Sequence, residues 1–336
     1  MFQGKFKEVV KFILFLSFGV GIFWLVYRKQ DPEKLWGAFK DVNLFWLAMT
    51  VIVMLISHVS RSIRWMMLVE PLGKKVSFWN ATFSTFLGYF ANMALPRMGE
   101  VMRCAVLGKY EDIPTSKLLG TVVVERAIDV VLFLLCLILA IALQFDVFTH
   151  LGSEYLTKSN NEEETSYLWV YITVGVVAVL LLLYFIFRRK IHKTKIYCSV
   201  KKFLKNIIKG FRTIWQLKSF NAFLFHSLLI WVCYYLMMYF GFQVFEFTSE
   251  LSGVVALSIF VLGSLGMILP APGGIGAFHF FVISGLVLYL PAESNINEKA
   301  AAFALLIHGV QTLFIIISGV VSLVLLPIIN TKKKTL

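Results

Sequence analysis

Leu87-Gly88-Tyr89-Phe90-Ala91-Asn92-Met93-Ala94-Leu95-Pro96-Arg97-Met98-Gly99-Glu100-Val101-Met102-Arg103 is the stretch on which the reading turns. It begins as an apolar run, breaks at a proline and a glycine, and sets Arg97, Glu100 and Arg103 within seven residues. A charge inside a membrane helix costs about 2.5–3.5 kcal/mol on insertion scales, so such residues usually carry a function. An uncharged relative follows in the second half: Leu262-Gly263-Ser264-Leu265-Gly266-Met267-Ile268-Leu269-Pro270-Ala271-Pro272-Gly273-Gly274-Ile275-Gly276.

The surrounding composition makes both stretches membrane segments. Of 336 residues, 59% are hydrophobic and 15% charged. The apolar residues come in blocks of about 20, the length a helix needs to cross a bilayer. Backbone groups in lipid must be satisfied within the chain, so the predicted class is an all-α polytopic membrane protein. The net charge of +13 lies in loops beside the blocks, where it reads as topology and not as a nucleic-acid surface. Cys104, Cys136, Cys198 and Cys233 show no paired spacing, so neither a disulfide nor a metal site is expected. Lys5, Lys7 and Lys11 precede an apolar run that reaches Tyr27 with no small-residue cleavage site, which favours a retained span over a signal peptide.

Six full spans are expected, at about 9–27, 44–60, 118–143, 167–187, 223–245 and 300–328, with broken segments at 78–109 and 251–290. Residues 188–218 hold eleven Lys or Arg and no acid. Within them Ile196, Val200, Phe203, Ile207, Phe211 and Ile214 recur at helical spacing. That is a basic amphipathic helix suited to an anionic leaflet, or else a solvated cytoplasmic linker. The positive-inside rule places this loop in the cytoplasm and the acidic loop 144–166 outside. Segment 78–109 then enters and leaves by the cytoplasmic face, and its second arm, about 12 residues, is too short to cross. It reads as a re-entrant hairpin, and 251–290 as a second hairpin entering from outside. Each half, 1–165 and 166–336, therefore has three crossings and a hairpin. An odd number of crossings inverts the second half, which gives an inverted repeat with both termini in the cytoplasm, an architecture of transporters.

The breaks suggest the chemistry. Proline lacks an N–H, glycine permits turns closed to other residues, and each helix restart, near Met98 and near Gly274, offers unpaired N–H groups to an oxyanion. Arg97 and Arg103 add planar forks for phosphate, with Glu100 orienting one of them or meeting a cationic group on the substrate. Arg126 and Asp129 form an internal pair, and Glu125 points elsewhere. Gly273, Gly274 and Gly276 allow close backbone approach. Arg61 and Arg64 share a helix face just beyond the second span. His279, His308 and Gln311 read as intramembrane polar contacts or as a proton path, and His58 has no visible partner. The rival reading of the charges is a set of structural ion pairs.

Arg61-x-x-Arg64-Trp65, Pro96-Arg97-Met98-Gly99-Glu100-x-x-Arg103, Glu125-Arg126-x-x-Asp129 and Pro270-x-Pro272-Gly273-Gly274-x-Gly276 together resemble the lysylphosphatidylglycerol synthase transmembrane-region family of flippase-like integral membrane proteins. The resemblance implies lipid translocation in the plasma (inner) membrane. The chain stops at Lys332-Lys333-Lys334-Thr335-Leu336 without a soluble aminoacyl-transferase domain, so lipid synthesis is not expected of it. The expected function is translocation of a phosphate-bearing lipid, a phospholipid or other anionic lipid, through a polar cavity between two hairpin tips. The headgroup site comprises Arg97, Glu100, Arg103, Arg126, Asp129, Gly273, Gly274 and Gly276. Around it stand Arg61, Arg64, Glu125, His279, His308 and Gln311. No cofactor, metal or catalytic residue is expected. The alternatives are a non-transporting lipid-binding partner of a separate lipid-modifying enzyme, and a membrane transferase acting on a lipid phosphate.

Overall fold

The computed structural model describes Ser17 and residues 20–28, 30–94, 98–145, 217–269 and 271–331. Contacts divide the chain into two units, residues 1–140 with 216–336, and residues 141–215; of the second only 141–145 are described. The span expected at 167–187 and all but the last two residues of the basic loop at 188–218 lie outside the described residues, as do Pro96, Arg97 and Pro270.

The described chain holds helices and no strand. In order they are α1 (20–27), α2 (Pro32–Gly37), α3 (Leu44–Val69), α4 (Phe78–Ala94), α5 (Met98–Glu111), α6 (Thr115–Leu143), α7 (Phe220–Val244), α8 (Glu246–Ser249), α9 (Gly253–Ile268), α10 (Ala277–Tyr289) and α11 (Ile296–Thr331). Among the described residues five stretches are long and apolar enough to cross a membrane: Leu44–Leu72, Thr115–Leu143, Phe220–Val244, Pro272–Tyr289 and Ile296–Thr331. The protein is a multi-pass membrane protein.

Helix starts follow local chemistry. Asn43 caps α3, its Oδ1 accepting from the N–H groups of Phe45 at 3.1 Å and Trp46 at 3.4 Å, and the Ser252 hydroxyl accepts from Val255 N–H at the start of α9. Two spans run longer than expected. α3 continues nine residues past Ser60 to Val69, and α11 covers 296–331 where 300–328 was expected. Arg61 and Arg64 therefore lie within α3, buried, and not beyond the end of a span. The boundary differs because charge in an apolar run reads as a stop signal, whereas here both arginines are neutralised inside the protein.

α3 and α7 lie antiparallel and form the broadest helix pair, tied at one end by Asn43 N–H to Val244 O (2.9 Å) and farther along by Ser60 Oγ to His226 Nδ1 (2.8 Å). On either side sits a hairpin. α4 folds back on α5, and α9 folds back on α10. Both hairpins close over glycine. A Cβ at Gly88 would lie 2.9 Å from Gly99 O, and one at Gly266 would lie 2.8 Å from Ala277 O. The largest apolar core joins α7, α9, α10 and α11, with Phe242, Ile259, Leu286 and Phe303 fully buried. A smaller core of Trp65, Val69, Cys104, Leu107, Ile113, Leu118 and Val122 packs α3, α5 and α6.

Gly99 offers a direct test of the first hairpin. A Cβ there would strike Gly88 O and the Asn92 amide, and the backbone atom cannot swing away. Gly99→Ala is expected to cost about 1–3 kcal/mol by overpacking and to lower the melting temperature of the purified protein. An unchanged melt would mean that the hairpin is not closed here.

Candidate functional site

Two spacings bring charge to one place. Arg61 and Arg64 are three residues apart on α3, and Glu125 and Asp129 are four apart on α6, so each pair shares a helix face. These faces meet. Arg61 Nη1 donates to Glu125 Oε1 at 2.8 Å and to Asp129 Oδ2 at 2.9 Å. Arg64 Nη2 donates to Asp129 Oδ1 at 2.8 Å and lies 3.6 Å from Glu125 Oε1. α5 contributes Arg103, whose Nη2 pairs with Glu125 Oε1 at 3.1 Å while its guanidinium stacks over Trp65 at 4.7 Å. α7 contributes Tyr234, whose hydroxyl accepts from Arg61 Nη2 at 2.9 Å.

Glu125 is the centre of this cluster, with no exposed side-chain surface. The expectation that it points away from the pair is wrong. Position i+4 from Glu125 is Asp129, so both carboxylates face α3, while Arg126 is turned aside. Arg126 keeps longer contacts, 3.4 Å to Glu125 Oε1, 3.6 Å to Asp129 Oδ2 and 3.7 Å to Glu100 Oε1. Its side chain is 43% exposed, against 4% for Arg103 and none for Arg64. Glu100 thus reaches across to α6 instead of orienting an arginine of its own helix.

The cluster is paired but not saturated. Four guanidinium groups face Glu100, Glu125 and Asp129, which leaves one positive charge over. Among the described residues, buried donors at Arg61 Nε, Arg64 Nε, Arg64 Nη1 and Arg103 Nε have no hydrogen-bond partner, nor do Glu100 Oε2 and Glu125 Oε2. Unpaired polar atoms cost about 1–3 kcal/mol each and more when charged, so this arrangement calls for water or a polar ligand. A cavity of about 10 Å³ adjoins it, lined by Tyr89, Asn92, Glu100, Arg103 and Arg126 together with small residues of α4 and α5. That is room for about one water. The site is closed.

Asn92 accounts for part of the narrowness. Its Oδ1 accepts from Gly99 N–H at 2.6 Å and so covers the start of α5, where an oxyanion was expected. Asn92, Tyr89 and Tyr234 escaped the sequence reading. Asn92 was detectable as an amide within an apolar run one turn before the break. Nothing distinguishes Tyr234 from Tyr235 or Tyr239 in its span.

The second glycine stretch forms a separate centre. A short 3₁₀ turn, Pro272–Gly274, precedes α10, so the helix restarts at Ala277 and not near Gly274. Gly273, Gly274 and Gly276 all have positive φ, at 59°, 76° and 82°, so only glycine fits without strain. His308 Nε2 meets Gly273 O at 2.8 Å, and Gly276 N–H donates to His279 Nδ1 at 3.3 Å. No hydrogen bond links Gln311 to either histidine. Nor does any hydrogen bond or ion pair join this turn to the arginine cluster, among the described residues. The turn does pack on α4, where a Cβ at Gly273 would lie 3.9 Å from Met93 Cγ. His58 stacks on Phe314 with ring centroids 5.5 Å apart and lies edge-on to Tyr89 at 4.7 Å. Its ring therefore has aromatic partners that the sequence did not show.

A family model described as the lysylphosphatidylglycerol synthase TM region matches residues 9–319. A UPF0104 membrane protein of Methanocaldococcus jannaschii is 31% identical over 105 residues. That alignment takes in 30% of this chain and 31% of the relative, so the two are matched over less than a third of either length. No solved structure matches the chain.

Proposed function

Since the chain belongs to the lysylphosphatidylglycerol synthase TM region family, we propose that it is a flippase-like carrier that moves a phosphate-bearing lipid across the membrane in which it sits. The observation that carries this reading is the under-neutralised arginine cluster, four guanidinium groups against three carboxylates, with buried donors left open beside a cavity. Desolvated arginine forks are well suited to phosphate oxygens. Arg103 and Arg126 line the cavity and bind the headgroup phosphate, with Arg97 placed beside the same break in the sequence. Arg61, Arg64, Glu125 and Asp129 brace them. The acyl chains stay in the bilayer, so the cavity must open sideways rather than form a pore.

The fold supports an inverted repeat as the frame for this movement. α3, α4, α5 and α6 correspond in order to α7, α9, α10 and α11. The two hairpins fall at equivalent places, each closed over glycine, and the two leading spans pack on one another. In this reading both hairpins are re-entrant, the termini are cytoplasmic and the host is the plasma (inner) membrane. The family match concerns the membrane region of a synthase-related protein, and the carrier reading assigns no reaction to this chain.

The test is translocation of a fluorescent phospholipid in proteoliposomes. Wild-type protein is expected to move lipid faster than protein-free vesicles. Arg126→Ala, which removes a half-exposed and loosely held arginine, is expected to slow it severalfold while leaving the melting temperature near that of the wild type. Vesicles with and without wild-type protein flipping a panel of anionic and zwitterionic lipids at one rate would sink the carrier reading. Specific co-purification of a lipid-modifying enzyme would then favour the partner reading.

A further inference from the structure

We propose that His279 binds a proton that releases the glycine turn of the second hairpin, with His308 as the anchor that holds the turn in both states.

The hydrogen bonds fix what each ring can do. A backbone N–H only donates, so Gly276 N–H at 3.3 Å from His279 Nδ1 requires that nitrogen to be bare. A carbonyl only accepts, so His308 Nε2, 2.8 Å from Gly273 O, carries a hydrogen. The two rings are therefore not equivalent. Protonating His308 adds its hydrogen at Nδ1 and leaves the bond to Gly273 O in place. Protonating His279 puts a hydrogen on Nδ1, where it meets another donor. The bond to Gly276 is lost and the start of α10 loses its side-chain cap.

The surroundings couple that proton to movement. His279 and His308 are 2% and 4% exposed, and their ring centroids lie 4.8 Å apart, so the pair holds at most one proton. Among the described residues no carboxylate stands by to neutralise it. α9 carries no ionisable side chain, and α10 carries only His279 and Tyr289. α1 brings Phe23 and Tyr27 edge-on to His279, and the Tyr27 hydroxyl donates to Ala301 O at 3.0 Å. α4 packs on the turn, and its one titratable group is Tyr89. On α11 the other ionisable side chains are Glu298 and Lys299, nine residues or more before His308 and so roughly 13 Å or more along the helix. A proton on His279 is stable only if the turn opens and lets water reach the ring. The turn can do so, because its only internal bonds run from Gly274 N–H to Ala271 O (3.0 Å) and from Ile275 N–H to Pro272 O (3.2 Å), among the described residues, and the rest of its hold comes from the two histidine bonds and close packing on Met267. Met93 ties the same turn to the hairpin that carries Arg103, so opening is felt at the arginine cavity.

The proton site does not depend on transport; its use to drive transport rests on the carrier reading. Full-length protein in lipid nanodiscs is followed by hydrogen–deuterium exchange over residues 271–280. Labelling times are scaled so that intrinsic exchange is equal at about pH 5.5 and about pH 7.5, either side of the ordinary histidine pKa near 6.5. Wild type is expected to exchange about tenfold faster at the lower pH, one order of magnitude for one unit of proton linkage. His279→Gln keeps a cap acceptor at the same helix position but cannot be protonated, and should lose that step. His308→Gln keeps a donor for Gly273 O and should retain it. A flat wild-type profile overturns the proposal. So does a step that survives His279→Gln, or one that vanishes only in His308→Gln. Exchange in α6 serves as the folding reference for each variant. Lipid translocation with and without a pH gradient separates the two readings. A pH step without any lipid movement keeps the proton site and removes the carrier. Lipid movement with a flat exchange profile does the reverse.

Discussion

Glu125→Ala is expected to prevent recovery of folded protein. One carboxylate oxygen lies within 3.6 Å of Arg61, Arg64, Arg103 and Arg126, drawn from α3, α5 and α6. Removing it leaves Asp129 and the partly exposed Glu100 to neutralise four guanidinium groups, three of which (Arg61, Arg64 and Arg103) are buried in full or nearly so and cannot reach water. Breaking a buried pair by deleting one partner costs about 3–5 kcal/mol, mostly the penalty of the stranded charge. That is a large share of the roughly 5–15 kcal/mol that holds an ordinary domain together. Thermal unfolding of detergent-solubilised protein, read by size-exclusion recovery, is the measurement. Glu125→Gln preserves shape while removing charge, so it should fall nearly as far as alanine. A glutamine variant that melts with the wild type would show that shape and not charge holds α3, α5 and α6 together. Combining Glu125→Gln with Arg103→Gln should recover part of the loss, because one stranded cation leaves with the anion.

The brace is less legible in the sequence than the fold, for a physical reason. Blocks of apolar residues marked α3, α6, α7 and α11, since composition over 20 residues suffices for a membrane span. Parity of the spans and the repeated Leu-Gly and Leu-Pro marked both hairpins. Arg61, Arg64, Arg103 and Asp129 were each visible as charges near apolar runs. Their partnership was not, because it joins residues 22 to 68 positions apart across separate helices. Charge at Arg61 and Arg64 reads as a helix terminus, which places the end of α3 short of its buried Leu68 and Val69. Helical spacing alone could have corrected Glu125, since its i+4 neighbour is an acid on the same face. The role of Asn92 could not be read from spacing. It depends on the chain reversing between α4 and α5 so that an amide lands on the first turn of the next helix. The separation of the glycine turn from the arginine cavity was likewise hidden, because two breaks that look alike in sequence close on different partners, an asparagine in one and a pair of histidines in the other.

If the proposed carrier reading holds, Arg103→Lys is expected to reduce lipid translocation by about 10- to 100-fold with little loss of fold, which separates a headgroup-binding residue from its braces. Lysine keeps the positive charge beside Glu125, now 3.1 Å from the arginine, and can still lie over Trp65. It loses the planar fork and with it the Nε donor that is buried and without a partner at the cavity wall. A hydrogen bond to a charged group contributes about 1.5–3 kcal/mol, and each 1.4 kcal/mol is a factor of ten, which sets the expected range. The close approach of Gly88, whose added Cβ would lie 3.1 Å from Arg103 Cβ, fixes the start of this side chain, so a shorter reach cannot be made up by shifting the backbone. Melting temperature and translocation rate are measured on the same preparation, with native mass spectrometry of retained lipid as a third readout. Wild-type melting with a slow rate and lost lipid is the expected pattern. A lysine variant that melts, moves lipid and retains lipid as the wild type does would make Arg103 a structural cation only, and the headgroup would have to be read by Arg126 at the open edge of the cluster.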